Sequence, residues 1–166
     1  MKTKNKIYAF EPFPENVEFL KHNIEQNNCH NIILVDCVAI SDKNGTEKLY
    51  ISEISGGQLL FDHNIKGQLN RYIEVPSKTL ERIIDENVLN QIDFLKMDCE
   101  GSEGQILKAA PIGCLERIKK IAMEFHDNVS LLNHDKIVNL LENCGFQCRL
   151  KWDGESPFGY LFARRD

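Results

Sequence analysis

In this sequence, acidic and basic side chains gather where apolar, β-prone runs end. In open α/β sheets that is where ligands bind, outside the carboxyl ends of the strands. Glu11 follows Lys6-Ile7-Tyr8-Ala9-Phe10, Asp98 ends the run from Ile92 to Asp98 with Glu100 just after it, and Glu124 and His126 close the run from Ile118. Lys96, Asp98 and Glu100 have period-2 spacing and so share a strand face, with Leu95, Met97 and Cys99 on the other. Glu124 and His126 are matched in the same way. If the two strands are neighbours, three carboxylates and an imidazole converge. Close like charges raise one another's pKa and Lys96 opposes that, which is the electrostatics of an acid/base site. The same donors could ligate Mg²⁺ or Mn²⁺, and a metal-dependent hydrolase is the weaker reading of them. A structural network in which Lys96 neutralises Asp98 or Glu124 is the plainer alternative. Glu11 also has two readings: a ribose-binding carboxylate fixed at a strand end, or an acid complementing the dipole of the helix that follows.

Positioning these groups requires a succession of strands and helices. After the first strand, Pro14 suits a first helical position, Glu15 the first turn, and Val17, Leu20 and Ile24 recur at helical spacing before Asn27-Asn28. The β-branched run from Ile32 to Ile40 reads as one strand covered on both faces. Residues 43–77 read as a β-rich insertion, with a turn at Lys43-Asn44-Gly45, strands at Lys48–Ile51 and Tyr72–Val75, and a flexible stretch at Ser55-Gly56-Gly57. Leu80, Ile83 and Ile84 suggest a short helix. Ser102 and Gln105 have capping-box spacing for a helix carrying Ile106, Leu107 and Ala110, which Pro111 and Gly113 should close. A second amphipathic helix, with Ile137, Val138, Leu140, Leu141 and Cys144, ends at Gly145. Two terminal strands, Phe146–Trp152 and Gly159–Ala163, flank Glu155-Ser156-Pro157 and should pair antiparallel. The fold class is therefore α/β, in one domain spanning 1–166.

Composition narrows the function classes. The formal net charge is -5, with 25 acidic against 20 basic side chains and no dense Lys/Arg run, which argues against nucleic acid or an anionic membrane as partner. No apolar run nears the roughly 20 residues of a membrane helix, so a cytoplasmic location is expected. The six cysteines lack C-x-x-C spacing and read as reduced, buried hydrophobes. His22, His30, His63 and His134 read as solvated, Arg164 and Arg165 as a solvated tail, and Trp152 as core.

Three segments together resemble the FkbM family of S-adenosylmethionine-dependent methyltransferases. They are Tyr8-Ala9-Phe10-Glu11-Pro12-x-Pro14-x-Asn16, Val38-Ala39-Ile40-Ser41-Asp42-x-x-Gly45, and Ile92-Asp93-Phe94-Leu95-Lys96-Met97-Asp98-Cys99-Glu100-Gly101-Ser102-Glu103, with Glu124-Phe125-His126 and Gly145-Phe146 following. The resemblance implies a Rossmann-like, mostly parallel sheet and O-methylation of a hydroxyl on a sugar or other small metabolite. It implies that Glu11 holds the cofactor ribose, that Val38 and Ala39 border the adenine, and that Asp98 lies near the methionine part or the acceptor. Glu100, Glu124 and His126 would line the acceptor pocket, one of them as general base, and no metal is assigned. The expected partner is a small-molecule or glycan acceptor, with homo-oligomerisation open. The first strand and glycine-rich turn of such folds have no counterpart here: ten residues precede Glu11, and the first glycine is Gly45. The expectation is a fragment or truncated product lacking the first strand, with weak cofactor binding; the alternative function is an inactive methyltransferase-like domain.

Overall fold

The computed structural model describes residues 6–51, 58–59 and 71–165. Strand β1 (Ile7–Phe10) pairs in parallel with β2 (Ile33–Asp36), and helix α1 (Pro14–Gln26) connects them. Pro14 starts α1 because its missing N–H would be unpaired there anyway. Val17 and Ile24, two turns apart, bury the inner stripe, and Asn28 turns the chain out of the helix at φ 54°, a conformation asparagine tolerates.

The run from Ile32 to Ile40 is two strands and not one. β2 stops at Asp36, and β3 (Ala39–Ile40) leaves for another sheet, where it pairs in parallel with β6 (Tyr72–Lys78). An apolar run suits a parallel strand in either sheet, so its composition hides the break. Tertiary contacts set it: Lys78 Nζ holds Asp36 Oδ2 at 3.0 Å and Glu86 Oε2 at 2.8 Å, while the Ser41 amide donates to Lys78 O. β4 (Gly45–Ile51) runs antiparallel to β6 and to β5 (Gln58–Leu59), giving the order β3-β6-β4-β5. Ala39, Leu49 and Val75 form a small core there, with Phe13 and Ile73 against it. Ser55-Gly56-Gly57 and His63 lie outside the described residues.

The second half builds the larger core. Helix α2 (Leu80–Glu86) starts where the Thr79 hydroxyl accepts from the Arg82 amide. β7 (Leu95–Met97) and β8 (Lys120–His126) are parallel neighbours, and a bridge from Ile92 to Ile118 prolongs the pairing. Between them lie α3 (Glu103–Ala109) and α4 (Ile112–Leu115). Pro111 does not simply close α3; it caps α4, and Gly113 sits inside that helix. α5 (His134–Asn143) begins with Asn133 accepting from the Lys136 amide, and Gly145 leaves it at φ 84°. β9 (Gln147–Lys151) and β10 (Phe158–Arg164) are antiparallel, as read from the sequence, and the sheet order is β7-β8-β10-β9.

One face of this sheet, with Met97, Ile121, Met123, Phe125, Leu161 and Ala163, joins Ile106, Leu107, Ile137 and Leu141 in one buried cluster. Each large side chain buried there is worth about 1.5–3 kcal/mol, so this cluster holds the β7–β8 strand ends in place. The fold is α/β, and among the described residues β1–β2 and β7-β8-β10-β9 are separate hydrogen-bonded sheets. No described helix is long and apolar enough to cross a membrane. All six cysteines are free thiols.

Candidate functional site

The carboxyl ends of β1 and β7 border one cavity of about 240 Å³. Glu11, Ala39, Asp98 and Glu100 line it, with Phe10, Ile40 and Leu49 as apolar wall. Glu11 is half-buried, and its Oε1 accepts the Phe13 amide at 2.8 Å, just ahead of α1. That is the helix-entry role; Oε2 has no hydrogen-bond partner among the described residues, so the two readings of Glu11 are compatible. Ala39 is fully buried in the cavity wall, whereas Val38, 1% exposed, is not among the lining residues.

A half-buried carboxylate with one oxygen in use, an apolar wall and a second acid across the cavity match the parts of S-adenosylmethionine: ribose hydroxyls, adenine and a cationic amino group. The donor set fits that cofactor. The volume is below the roughly 300 Å³ at which enclosed ligand pockets begin, so the cavity has room for only part of such a molecule.

Beside the cavity, the strand pairing produces the convergence read from the sequence. One ligand atom each from Asp98, Glu124 and His126 lies within 4.8 Å of the others. Lys96 Nζ is 3.0 Å from Asp98 Oδ2, so a cation already sits on this carboxylate and opposes a divalent ion there. Glu100 arrives differently. It does not continue the strand alternation: its φ of 51° is left-handed, which turns its carboxylate to within 3.7 Å of His126 Nε2. Burial first, then the nearby carboxylates, push the Glu100 pKa up against the pull of His126.

Gly101 follows at φ 101°, and a Cβ there would meet Val129 Cγ2 at 2.7 Å, so this turn accepts no side chain. The expected capping box is absent. Ser102 has helical φ and ψ and makes no cap bond, and Ser102 Oγ and Gln105 Oε1 are buried without partners among the described residues. Glu103 instead ties down the turn ahead of the helix. Fully buried, its carboxylate accepts the Cys99 amide at 2.7 Å and the Gly101 amide at 3.1 Å.

Sequence reasoning assigned Glu103 no role, yet its Oε1 lies 3.5 Å from His126 Nδ1. The contact is one of charge without hydrogen-bond geometry, and Nδ1 has no other partner among the described residues. The Glu103 carboxylate, helped by Glu100 and Glu124, raises the His126 pKa against the opposing effect of burial. The signal available in the sequence was an acid at the first position of a helix, directly after Gly101-Ser102, where the backbone amides of the turn need an acceptor. Cys99, packed against the core, has its thiol pushed up to about 12 by burial and is no nucleophile at neutral pH.

Three peripheral readings need correction. His134 is buried, not solvated: its amide and ring bond to Asp127, and its ring packs 4.8 Å from Phe125 and 4.5 Å from Trp152. Trp152 is 39% exposed and not core, with its indole N–H donating to Ser156 O. Arg164 and Arg165 are not a free tail, since Arg164 binds Gln147 Oε1 and Arg165 lies over the Phe146 ring. His22 and His30 are exposed, as expected.

Comparison with known proteins bears on the family and the fold. The methyltransferase FkbM domain matches residues 1–148. No curated protein matches the chain. Among solved structures, the methyltransferase FkbM from Methylobacillus flagellatus KT superposes with a TM-score of 0.61 at 19% identity, covering 96% of this chain and 36% of its own. The human methyltransferase 10 domain containing protein gives 0.51 at 14%, covering 96% and 60%, and the METTL16 MTase domain 0.50 at 13%, covering 96% and 50%. These identities show the fold alone, and the chain spans between 36% and 60% of those structures' lengths. With the family's domain matching residues 1–148 of 166, the chain belongs to the FkbM methyltransferase family.

Proposed function

We propose that this chain binds S-adenosylmethionine in the Glu11–Asp98 cavity and supports O-methylation of a hydroxyl on a small-molecule or sugar acceptor. The observation that carries the reading is one half-buried carboxylate, Glu11, in the same cavity as Asp98 and Glu100, beside an imidazole backed by a buried carboxylate. S-adenosylmethionine, when bound, supplies a methyl group on a positively charged sulfur.

Glu11 would hold the ribose hydroxyls, and Ala39, Ile40 and Leu49 the adenine side. Asp98 would face the amino group of the methionine part. His126 is assigned as general base: its Nε2 takes the acceptor hydroxyl's proton while Glu103, at Nδ1, stabilises the resulting imidazolium. Glu124 and Glu100 orient the hydroxyl toward Nε2. Positioning of this kind dominates methyl transfer, because the reaction needs little beyond an in-line approach of oxygen to carbon.

Calorimetry with S-adenosylmethionine tests the reading. Wild-type protein should bind, and Glu11→Ala should weaken binding by about tenfold or more, the worth of one charge-assisted hydrogen-bonding group. Binding unchanged by Glu11→Ala removes Glu11 from the site; no binding by the wild type leaves a methyltransferase-like domain without cofactor.

A further inference from the structure

The cavity between β1 and β7 is lined by three carboxylates, Glu11, Asp98 and Glu100, and by no lysine or arginine among the described residues. A cleft lined by one sign of charge favours a ligand of the other, here a cation. The three acids are not equivalent. Glu11 Oε1 accepts the Phe13 amide at 2.8 Å, and Asp98 Oδ2 is 3.0 Å from Lys96 Nζ. Glu100 makes no ion pair with a lysine or arginine among the described residues; its basic neighbour is His126, whose Nε2 is 3.7 Å from Oε2. When His126 is neutral, as a base must be, the charge of Glu100 is uncompensated.

The turn holds this charge at the cavity edge. Glu100 has a left-handed backbone, and the amides on both sides of it, from Cys99 and Gly101, donate to the buried Glu103 carboxylate at 2.7 and 3.1 Å. The Ser102 amide closes the turn on Cys99 O at 3.2 Å. A non-glycine residue keeps such a φ only where its surroundings over-determine it, and these bonds do so.

Resting on the methyl-transfer reading, we infer that Glu100 is the counter-charge to the cationic sulfur, and so determines specificity for S-adenosylmethionine over S-adenosylhomocysteine, whose sulfur is neutral. The reaction sets the location. An acceptor oxygen that gives its proton to His126 Nε2 must also meet the methyl carbon in line, so the sulfur belongs on the side of the cavity nearest His126. Glu100 lines the cavity and contacts His126. Asp98 also approaches His126, but Lys96 already compensates it. The charge balance leads to the same residue. As the C–O bond forms and the C–S bond breaks, the C–S electron pair stays on sulfur and the hydroxyl proton passes to Nε2. One positive charge is lost at sulfur and one appears on His126, so Glu100 has a cation to stabilise before and after transfer. A carboxylate already in place for both costs no reorganisation.

The test is calorimetry of the full chain with S-adenosylmethionine and S-adenosylhomocysteine at about pH 8, above the carboxylate range. Both ligands carry the ribose and the amino group, so a variant that changes their affinity ratio acts at the sulfur. Glu100→Gln keeps the shape and removes the charge. It should weaken S-adenosylmethionine by about tenfold, the low end of what one opposite charge within about 4–6 Å does, and leave S-adenosylhomocysteine within about twofold. Asp98→Asn should weaken both ligands alike, because both carry the amino group it faces. Where Glu100→Gln fails to fold by circular dichroism, Glu100→Asp and Glu100→Asn, which tolerate a left-handed backbone, repeat the comparison: the aspartate should hold the ratio and the asparagine lose it. Equal weakening of both ligands on loss of the Glu100 charge, or of neither, overturns the inference, as does a ratio that moves with Asp98→Asn instead. If the wild type binds neither ligand, the methyl-transfer reading falls and this inference with it; binding of both with a ratio indifferent to Glu100 sinks this inference alone.

Discussion

His126 gains basicity from charge: Glu103 stands behind Nδ1, and Glu100 and Glu124 lie in front. A base must be unprotonated to act, so a raised pKa moves the rising limb of the rate-pH profile above the ordinary histidine range near 6.5. Glu103→Gln removes the charge that raises it, and the limb should shift to lower pH while the maximal rate falls by about 10- to 100-fold, measured as kcat/KM against pH. An unshifted limb would mean that His126 is not the titrating base. Asp98, Glu124 and His126 were legible in the sequence because strand alternation alone puts them together once β7 and β8 pair. Glu103 was not, because its role depends on the left-handed Glu100 and on Gly101, which bend the chain so that amides of the strand end point at a helix residue. Alternation predicts nothing beyond the last strand residue.

At the scale of elements, the turn from β7 into α3 fixes the cluster, and Gly101 is its least replaceable residue. Gly101→Ala puts a Cβ 2.7 Å from Val129 Cγ2 at a positive φ, and should lower unfolding free energy by about 1–3 kcal/mol, read as a lower urea midpoint at unchanged m-value. Most elements were legible: α1 from Pro14 and its apolar spacing, α5 from its stripe and Gly145, the β9–β10 pair from an alternating run, an apolar run and the turn residues between them. What escaped were long-range choices. The run from Ile32 to Ile40 contains nothing that tells it to change sheets after Asp36; Lys78, arriving some forty residues later, does. His134 likewise looks like a polar helix start until Phe125 of β8 and Trp152, just past the end of β9, cover it.

Over the whole molecule, stability and activity should respond to pH in opposite directions. His126 has a folded-state pKa above its unfolded value, so its stabilising contribution is complete below about pH 6.5 and is lost as pH rises through the folded value. Glu100, also raised, favours the folded state when protonated, so its contribution too declines with rising pH, from a lower starting point. Thermal midpoints should fall between pH 6 and pH 8, and His126→Gln should flatten that slope; an unchanged slope would place the titration elsewhere. On the methyl-transfer reading, the cavity between β1 and β7 is the cofactor site. The most direct measurement is backbone amide NMR of the full chain titrated with S-adenosylhomocysteine. The largest shifts should fall on Glu11, Ala39, Ile40, Cys99 and Glu100; shifts confined to other surfaces, or none at saturating ligand, would place the cofactor elsewhere or nowhere on this chain.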